Sequence, residues 1–407
     1  VRVITKAIIE AVKGEDRQIL NSFGIKSFNE FKERGVIVGH DNRLLGKEFA
    51  YEVIGILQSE GINCYYAGEA STPEFSAAVV ELSASASINL TPSHNPPNYG
   101  GLKLNPSDGG PASEELTKPI ERIANELMKN ANSIKSCPPV AINKIDATEL
   151  YINFIKKRNM IDIDKIKNFL SNNPHTIAVD HMHGATRGKL AKILSVSPGT
   201  FICLRREDDP LFEGLSPEPS EENLKLALSH LRENTLGFSA IIDPDGDRVR
   251  FADLKRQIPM NYFGAMAFHY LYNYKGLRGV VVKSVGTSNF VNSIAEAFRV
   301  EVIETKVGFK NFRPYLLPNA TKKAIVAFEE SDGISIQNHT LEKDAILGVL
   351  LALEMIATFN KNLSDYLEEI EKSYGKYYSD RTGIEIPRES FGPHVKENIM
   401  ALSKHFK

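Results

Sequence analysis

Short apolar, β-branched runs alternate along this chain with amphipathic stretches, and the alternation repeats. G-V-I-V-G-H-D leads into K-E-F-A-Y-E-V-I-G-I-L-Q-S-E-G and then into I-N-C-Y-Y-A-G-E-A. A strand-length apolar run, a helical period and a second strand predict β-α-β units around a parallel or mixed sheet. H-T-I-A-V-D-H-M-H-G before A-T-R-G-K-L-A-K-I-L repeats the rhythm, and so does G-V-V-V-K-S-V-G-T-S before N-F-V-N-S-I-A-E-A-F. Three recurrences predict three similar α/β domains over residues 1–150, 151–254 and 255–372. The boundaries fall in K-I-D-A-T-E-L-Y-I-N-F-I-K-K-R, in A-D-L-K-R-Q-I-P and in S-Y-G-K-Y-Y-S-D-R. The remaining segment, 373–407, is too short for a core of its own.

Composition narrows the partners. With 407 residues, 42% hydrophobic and 25% charged, the chain can bury several cores. Its 51 acidic and 49 basic residues leave a net charge of -2, so no global field favours nucleic acid or a membrane surface. Cys64, Cys137 and Cys203 are widely spaced and lack C-x-x-C spacing, which argues against a disulfide framework and a zinc site. The longest apolar run, A-I-L-G-V-L-L-A-L-E-M-I-A, is interrupted by Glu354 and too short to span a bilayer, and the first residues lack a signal-peptide pattern. The expectation is a cytoplasmic protein, monomeric or homodimeric, that acts on a small molecule.

Three strand-loop segments carry candidate chemistry. In S-A-I-I-D-P-D-G-D-R-V-R an apolar strand delivers Asp243, Asp245 and Asp247 into a tight turn. Three carboxylates within five residues repel unless a cation neutralises them, and hard oxygen ligands suit Mg²⁺. An EF-hand would need Gly and Glu where Arg248 and Leu254 stand, so that reading fails. A solvated acidic turn and a haloacid-dehalogenase-type Asp-x-Asp both remain as alternatives. A second segment, A-S-I-N-L-T-P-S-H-N-P-P-N-Y-G-G-L-K, ends a strand in a Pro- and Gly-rich loop around Ser93, suited to presenting a nucleophilic hydroxyl rigidly. His94 and Lys103 are candidates for proton transfer and phosphate neutralisation beside it; a plain polar turn is the alternative. The third segment, A-I-V-A-F-E-E-S-D-G-I, sets Glu329, Glu330 and Ser331 after a strand. These acceptors suit vicinal sugar hydroxyls, and a solvated turn is again the alternative. Basic residues at strand ends, Arg43, Arg248, Lys306 and Lys310, could together neutralise a transferring phosphoryl group.

In this order and at these separations, T-P-S-H-N-P, D-P-D-G-D-R and F-E-E-S-D-G resemble the phosphoserine, metal and sugar loops of the α-D-phosphohexomutase family. V-G-H-D-N-R, D-H-M-H-G, F-E-G-L-S-P-E-P, K-V-G-F-K and L-E-K-D-A-I-L-G extend the likeness over about residues 36 to 381. The resemblance implies three α/β domains with mixed sheets around a central cleft, followed by the start of a fourth, phosphate-binding domain at 373–407. It implies that Ser93 carries a phosphoryl group and that Mg²⁺ sits between it and Asp243, Asp245 and Asp247. Arg43, His94, Lys103 and Arg248 would serve catalysis. Glu329 and Ser331 would hold sugar O3 and O4, and Lys306, Gly308 and His339 would line the cleft. The activity implied is hexose 1-phosphate to hexose 6-phosphate interconversion, with glucose 1,6-bisphosphate or an equivalent as activator. E-E-S matches glucose-type members better than E-M-S or E-Q-S.

The chain departs from the family at Pro92 for Ala, Gly100 for Asn, Pro244 for Gly and Asp332 for Gly. It shows neither the opening F-G-T-S-G-x-R segment nor the R-x-S-G-T-E-P-like phosphate clamp. Phosphoglucosamine mutase, a magnesium-dependent sugar phosphatase and a noncatalytic sugar-phosphate-binding protein are the competing readings.

Overall fold

Three sheets built on one plan organise the chain in a computed structural model, which describes residues 1–136 and 138–379 together with 392, 394, 395 and 397. Val1–Lys376 is one compact unit and Tyr377–Lys407 a second. Cys137 and most of the expected fourth-domain start lie outside the described residues.

In the first sheet β1 (Val36–His40) lies between β2 (Cys64–Glu69) and β3 (Ala86–Leu90), parallel to both, and β4 (Lys103–Pro106) returns antiparallel to β3. The second sheet repeats this with β5 (His175–Asp180), β6 (Ile202–Leu204), β7 (Leu236–Ile242) and the antiparallel β8 (Val249–Ala252), then adds β9 (Gln257–Ile258). The third does so with β10 (Val280–Ser284), β11 (Val302–Thr305), β12 (Ala324–Glu329) and the antiparallel β13 (Gly333–Ile336).

Side-chain alternation explains why the parallel strands read as unbroken apolar runs. Val36 and Val38 pack on one face of β1 with Ala50, Ile54 and Leu57 of the helix Gly46–Ser59. Ile37 packs on the other with Phe75, Ala78 and Val79 of the helix Thr72–Leu82. Both faces are covered, so both favour apolar side chains. Phe75 is fully buried, and truncating such a ring to Ala costs about 3–5 kcal/mol.

The long apolar run forms the helix Ala345–Phe359, capped by Asp344 and buried in the core. Its Glu354 is neutralised by Lys275 Nζ at 2.5 Å. Among the described residues no single helix is long and apolar enough to cross a membrane. The second sheet runs past the expected boundary at 254: β9 pairs with β8, Phe251 opposite Ile258. Asp253 Oδ1 accepts from Lys255 N and Arg256 N at 3.0 and 3.3 Å, so the polar segment is a hydrogen-bonded hairpin turn.

Candidate active site

Each of the three loops singled out in the sequence joins the third strand of its sheet to the antiparallel fourth. Ser93 and His94 lie between β3 and β4, the three aspartates between β7 and β8, and Glu330 and Ser331 between β12 and β13, directly after Glu329. The parallel strands deliver these loops from their carboxyl ends, where α/β sheets place ligands.

Ser93 is held in a left-handed conformation at φ 57°, costly for a non-glycine residue and maintained by its surroundings. Its N–H donates to Thr91 Oγ1 at 2.9 Å, and that hydroxyl donates to Asp41 Oδ2 at 2.7 Å. Arg43 supplies the rest of the frame, donating to the carbonyls of Pro96 (2.6 Å), Ser93 (2.8 Å) and Asn95 (2.5 Å) and to Asp41. Its guanidinium stacks on Phe212 with a 5.0 Å separation from the ring centre. Arg43, expected among the residues that neutralise a phosphoryl group, directs these donors to the loop backbone and Asp41 and so shapes the Ser93 loop. Burial lifts Asp41 to about 7, against the pull of Thr91 and Arg43.

So framed, the buried Ser93 hydroxyl donates to Asp243 Oδ2 at 2.8 Å, with His94 Nδ1 3.4 Å away. Burial, then the charge of Arg248, lowers His94 below the ordinary histidine range.

Asp243, Asp245 and Asp247 are fully buried, and one carboxylate oxygen from each lies within 4.8 Å of the others. Gly246, at φ 70°, is demanded by this turn: a Cβ there would meet Thr186 Cγ2 at 2.6 Å and Ser71 Cβ at 2.8 Å. Lys103 Nζ bonds Asp245 at 2.6 Å and also Asp247, Lys343 Nζ lies 3.0 Å from Asp247, and Arg248 Nε lies 3.8 Å from Asp247. Burial and the charges of Asp245 and Asp247 push Asp243 well above the usual carboxylate range. Burial acts the same way on Asp247, but Lys103, Lys343 and Arg248 outweigh it and hold that carboxyl well below. Despite these cations, Asp245 Oδ1 and Asp247 Oδ1 are buried without a hydrogen-bond partner. Unpartnered buried carboxylate oxygens are costly, and an all-oxygen set of this kind fits a hard divalent cation.

In the third loop Glu329 is buried and accepts from Gly308 N at 3.2 Å, which brings two of the expected cleft residues together. Ser331 is half-buried. Lys306 is exposed, and its carbonyl accepts from Asn311. His339 is buried. Its Nε2 bonds Asp344 Oδ2 at 2.6 Å, Tyr151 donates to the same oxygen at 2.6 Å, and the imidazole packs edge-on to Phe154. It is engaged in that buried packing, whose Asp344 directly follows Lys343, the partner of Asp247.

Comparison with known proteins agrees with the plan of the sheets. Family profiles described as phosphoglucomutase/phosphomannomutase alpha/beta/alpha domains I, II and III match residues 9–131, 149–256 and 259–374. The chain belongs to the α-D-phosphohexomutase family. Phosphoglucomutase-1 of Bos taurus is 29% identical over 410 residues, covering 90% of this chain and 70% of the relative. The phosphoglucomutase/phosphomannomutase of Thermococcus kodakarensis is 28% identical, with 95% and 82% covered. A crystal structure of a candidate phosphomannomutase from Thermus thermophilus superposes with a TM-score of 0.78 at 29% identity, covering 92% of this chain and 80% of that one. This phosphohexomutase is thus an intramolecular phosphotransferase of the phosphoglucomutase/phosphomannomutase type, and the dehalogenase-type reading of its Asp-x-Asp turn falls away.

Two residues of the phosphohexomutase site escape a sequence reading of single motifs. Lys343 sits in L-E-K-D-A-I-L-G, a segment legible as a family match but not as a partner of Asp247. Thr72 donates to Asp245 Oδ2 at 2.7 Å through its hydroxyl and to Asp245 O at 2.7 Å through its N–H. It lies 173 residues from its partner, and nothing local marks it.

Proposed function

We propose that this enzyme interconverts hexose 1-phosphate and hexose 6-phosphate, glucose first and mannose second, through a phosphoserine at Ser93 and a hexose bisphosphate intermediate. One observation carries the reading: the Ser93 hydroxyl is buried against Asp243 at 2.8 Å, on a loop whose backbone is pinned from behind. A hydroxyl so fixed is poised for phosphoryl transfer, where catalysis is mostly positioning and electrostatics.

In the first half-reaction a free hydroxyl of the bound hexose phosphate attacks the phosphorus on Ser93. The Oγ–P bond breaks as the new O–P bond forms, the hydroxyl proton leaves to His94, and the departing Ser93 oxyanion takes that proton from His94, whose Nδ1 lies 3.4 Å from Oγ. The bisphosphate turns, and its other phosphoryl group returns to Ser93 by the reverse sequence. Lys103, Lys343 and Arg248 supply positive charge around the transferring group. Asp243, Asp245 and Asp247, with an oxygen of phosphorylated Ser93, would hold Mg²⁺, which supplies charge neutralisation of the phosphoryl oxygens when bound. Glu329 and Ser331 receive the hexose hydroxyls. The E-E-S wording and relatives named phosphoglucomutase favour glucose.

The test is a phosphorus NMR time course of α-glucose 1-phosphate with the protein, Mg²⁺ and a trace of glucose 1,6-bisphosphate. Glucose 6-phosphate is the expected product. Inorganic phosphate in its place would overturn the reading in favour of a phosphatase.

A further inference from the structure

The turn between β12 and β13 offers three carboxylates in four residues, yet two of them are engaged by the protein itself. Glu330 Oε2 accepts from Ser284 Oγ and from Thr287 Oγ1, the latter at 3.2 Å, and Glu330 N donates to Thr287 Oγ1 at 3.2 Å. The backbone of β10's exit lies so close that a Cβ on Gly286 would fall 2.9 Å from the Glu330 carboxyl carbon. Asp332 is seized from the second sheet: Arg250 on β8 donates to its Oδ2 through Nη2 at 2.8 Å and Nε at 3.2 Å. Val249 N donates to Asp332 O at 2.9 Å, and Arg248 bridges Gly333 in antiparallel fashion. Asp332 stands at φ 70°, a conformation that favours glycine, and glycine is what the family pattern has there. An acidic side chain at this position costs backbone strain and gains the Arg250 ion pair.

We infer that Ser284, Thr287 and Arg250 are positioning residues for the sugar-binding turn. They clasp Glu330 and Asp332 so that the interleaved Glu329 and Ser331 meet the hexose hydroxyls in a fixed arrangement. This rests on the mutase reading above and assigns the two remaining acidic residues to the clasp rather than to the ligand. Because Arg250 lies on the strand that leaves the aspartate turn, the clasp also ties the hexose subsite to the acidic cluster. A loosened turn must be ordered when the sugar binds, at an entropic cost. The chemical groups at Ser93 stay in place, so the effect falls on KM.

The experiment compares Glu330→Met, Glu330→Gln and the double variant Arg250→Met/Asp332→Gly in the full chain with glucose 1-phosphate. The double variant avoids leaving Asp332 buried without its cation, and glycine accepts its backbone angle. Glu330→Met and the double variant are expected to raise KM about tenfold with kcat within about threefold, the scale of losing one ordered contact set. Glu330→Gln keeps an acceptor for both hydroxyls and is expected to stay within about twofold of the parent. Equal damage from Gln and Met, or a fall in kcat at unchanged KM, overturns the inference. Should the parent turn over no hexose phosphate, the mutase reading fails and hydrogen exchange decides the clasp. Amides of 329–333 are expected to exchange at least about tenfold faster in Glu330→Met and the double variant, with 86–90 unchanged; unchanged exchange at 329–333 overturns it.

Discussion

The two acidic turns of this enzyme have nearly the same composition and opposite electrostatics. Asp243, Asp245 and Asp247 are drawn together at the end of β7, ringed by Lys103, Lys343 and Arg248, with two carboxylate oxygens left unpartnered. Glu329, Glu330 and Asp332 at the end of β12 are dispersed, each to a different partner: Gly308 N, the Ser284/Thr287 hydroxyls, and Arg250. Clustered carboxylates store repulsion that a cation relieves, whereas dispersed ones act as separate hydrogen-bond acceptors. Acid count in a turn therefore says little. On the function proposed above, what the acids converge on decides whether the turn holds charge in transfer or neutral hydroxyls.

The sharpest way to break this division of labour is Ser93→Ala. With the hydroxyl that faces Asp243 of the clustered turn gone, mutase turnover should fall at least about 10³-fold, the scale of losing a covalent-catalysis residue. Steady-state rates with glucose 1-phosphate check it. A variant that kept its rate would detach Ser93 from the reaction altogether.

A pH lever on the stability of the fold sits beside the clustered turn. Thr186 packs closely on Gly246 of that turn, and Thr186 Oγ1 holds His181 Nδ1 at 2.9 Å. Burial, helped by Arg187, depresses His181 to about 4, so the folded imidazole is neutral while the unfolded one takes a proton below its ordinary value of 6.5. The stability this contributes is present above pH 6.5, falls as acid approaches pH 4, and amounts to about 3 kcal/mol over that window. Urea melts at pH 7 and pH 4.5 should show His181→Gln losing less stability on acidification than the parent. An equal loss would show that His181 does not titrate there.

Cation binding separates the turns directly. Mg²⁺ at a hundredfold excess over its dissociation constant should stabilise the protein by about 2.7 kcal/mol. Asp245→Asn should abolish that gain and Glu329→Gln should leave it, as read by thermal melts with and without chelator. Equal gains in both variants would place the cation elsewhere.

Much of this was readable in the residues, for identifiable reasons. Unbroken apolar runs such as V-I-V and V-V-V mark strands covered on both faces, and β1 and β10 lie in the middle of their sheets. The three loops are local in sequence, so Ser93, Asp243 and Glu329 could be picked out by spacing. Roles set by distant partners could not. Only the fold shows the carbonyls of Ser93, Asn95 and Pro96 on the donors of Arg43. Only the fold shows Asp344 and Tyr151 beside His339. Asp253 reads only as part of a boundary segment because its two amide partners matter once β8 and β9 pair.

The smallest expected effect probes the dispersed turn where it should be most independent of the clustered one. Glu329→Gln keeps the length and one acceptor of the side chain but removes its charge, so a hexose hydroxyl that donates to a carboxylate would donate to a neutral amide oxygen. Charge-assisted hydrogen bonds are roughly twice as strong as neutral ones, and the difference, about 1 kcal/mol, corresponds to a rise in KM of about fivefold. Gly308 N retains an acceptor at 329, so the loop itself should stay folded. If Glu329 only binds the sugar, kcat stays within about twofold and phosphoryl transfer from glucose 1,6-bisphosphate to Ser93, followed by mass spectrometry, reaches the same extent as in the parent. If kcat falls along with that transfer, the charge at 329 is felt at Ser93, and the two turns form one electrostatic unit despite their different partners.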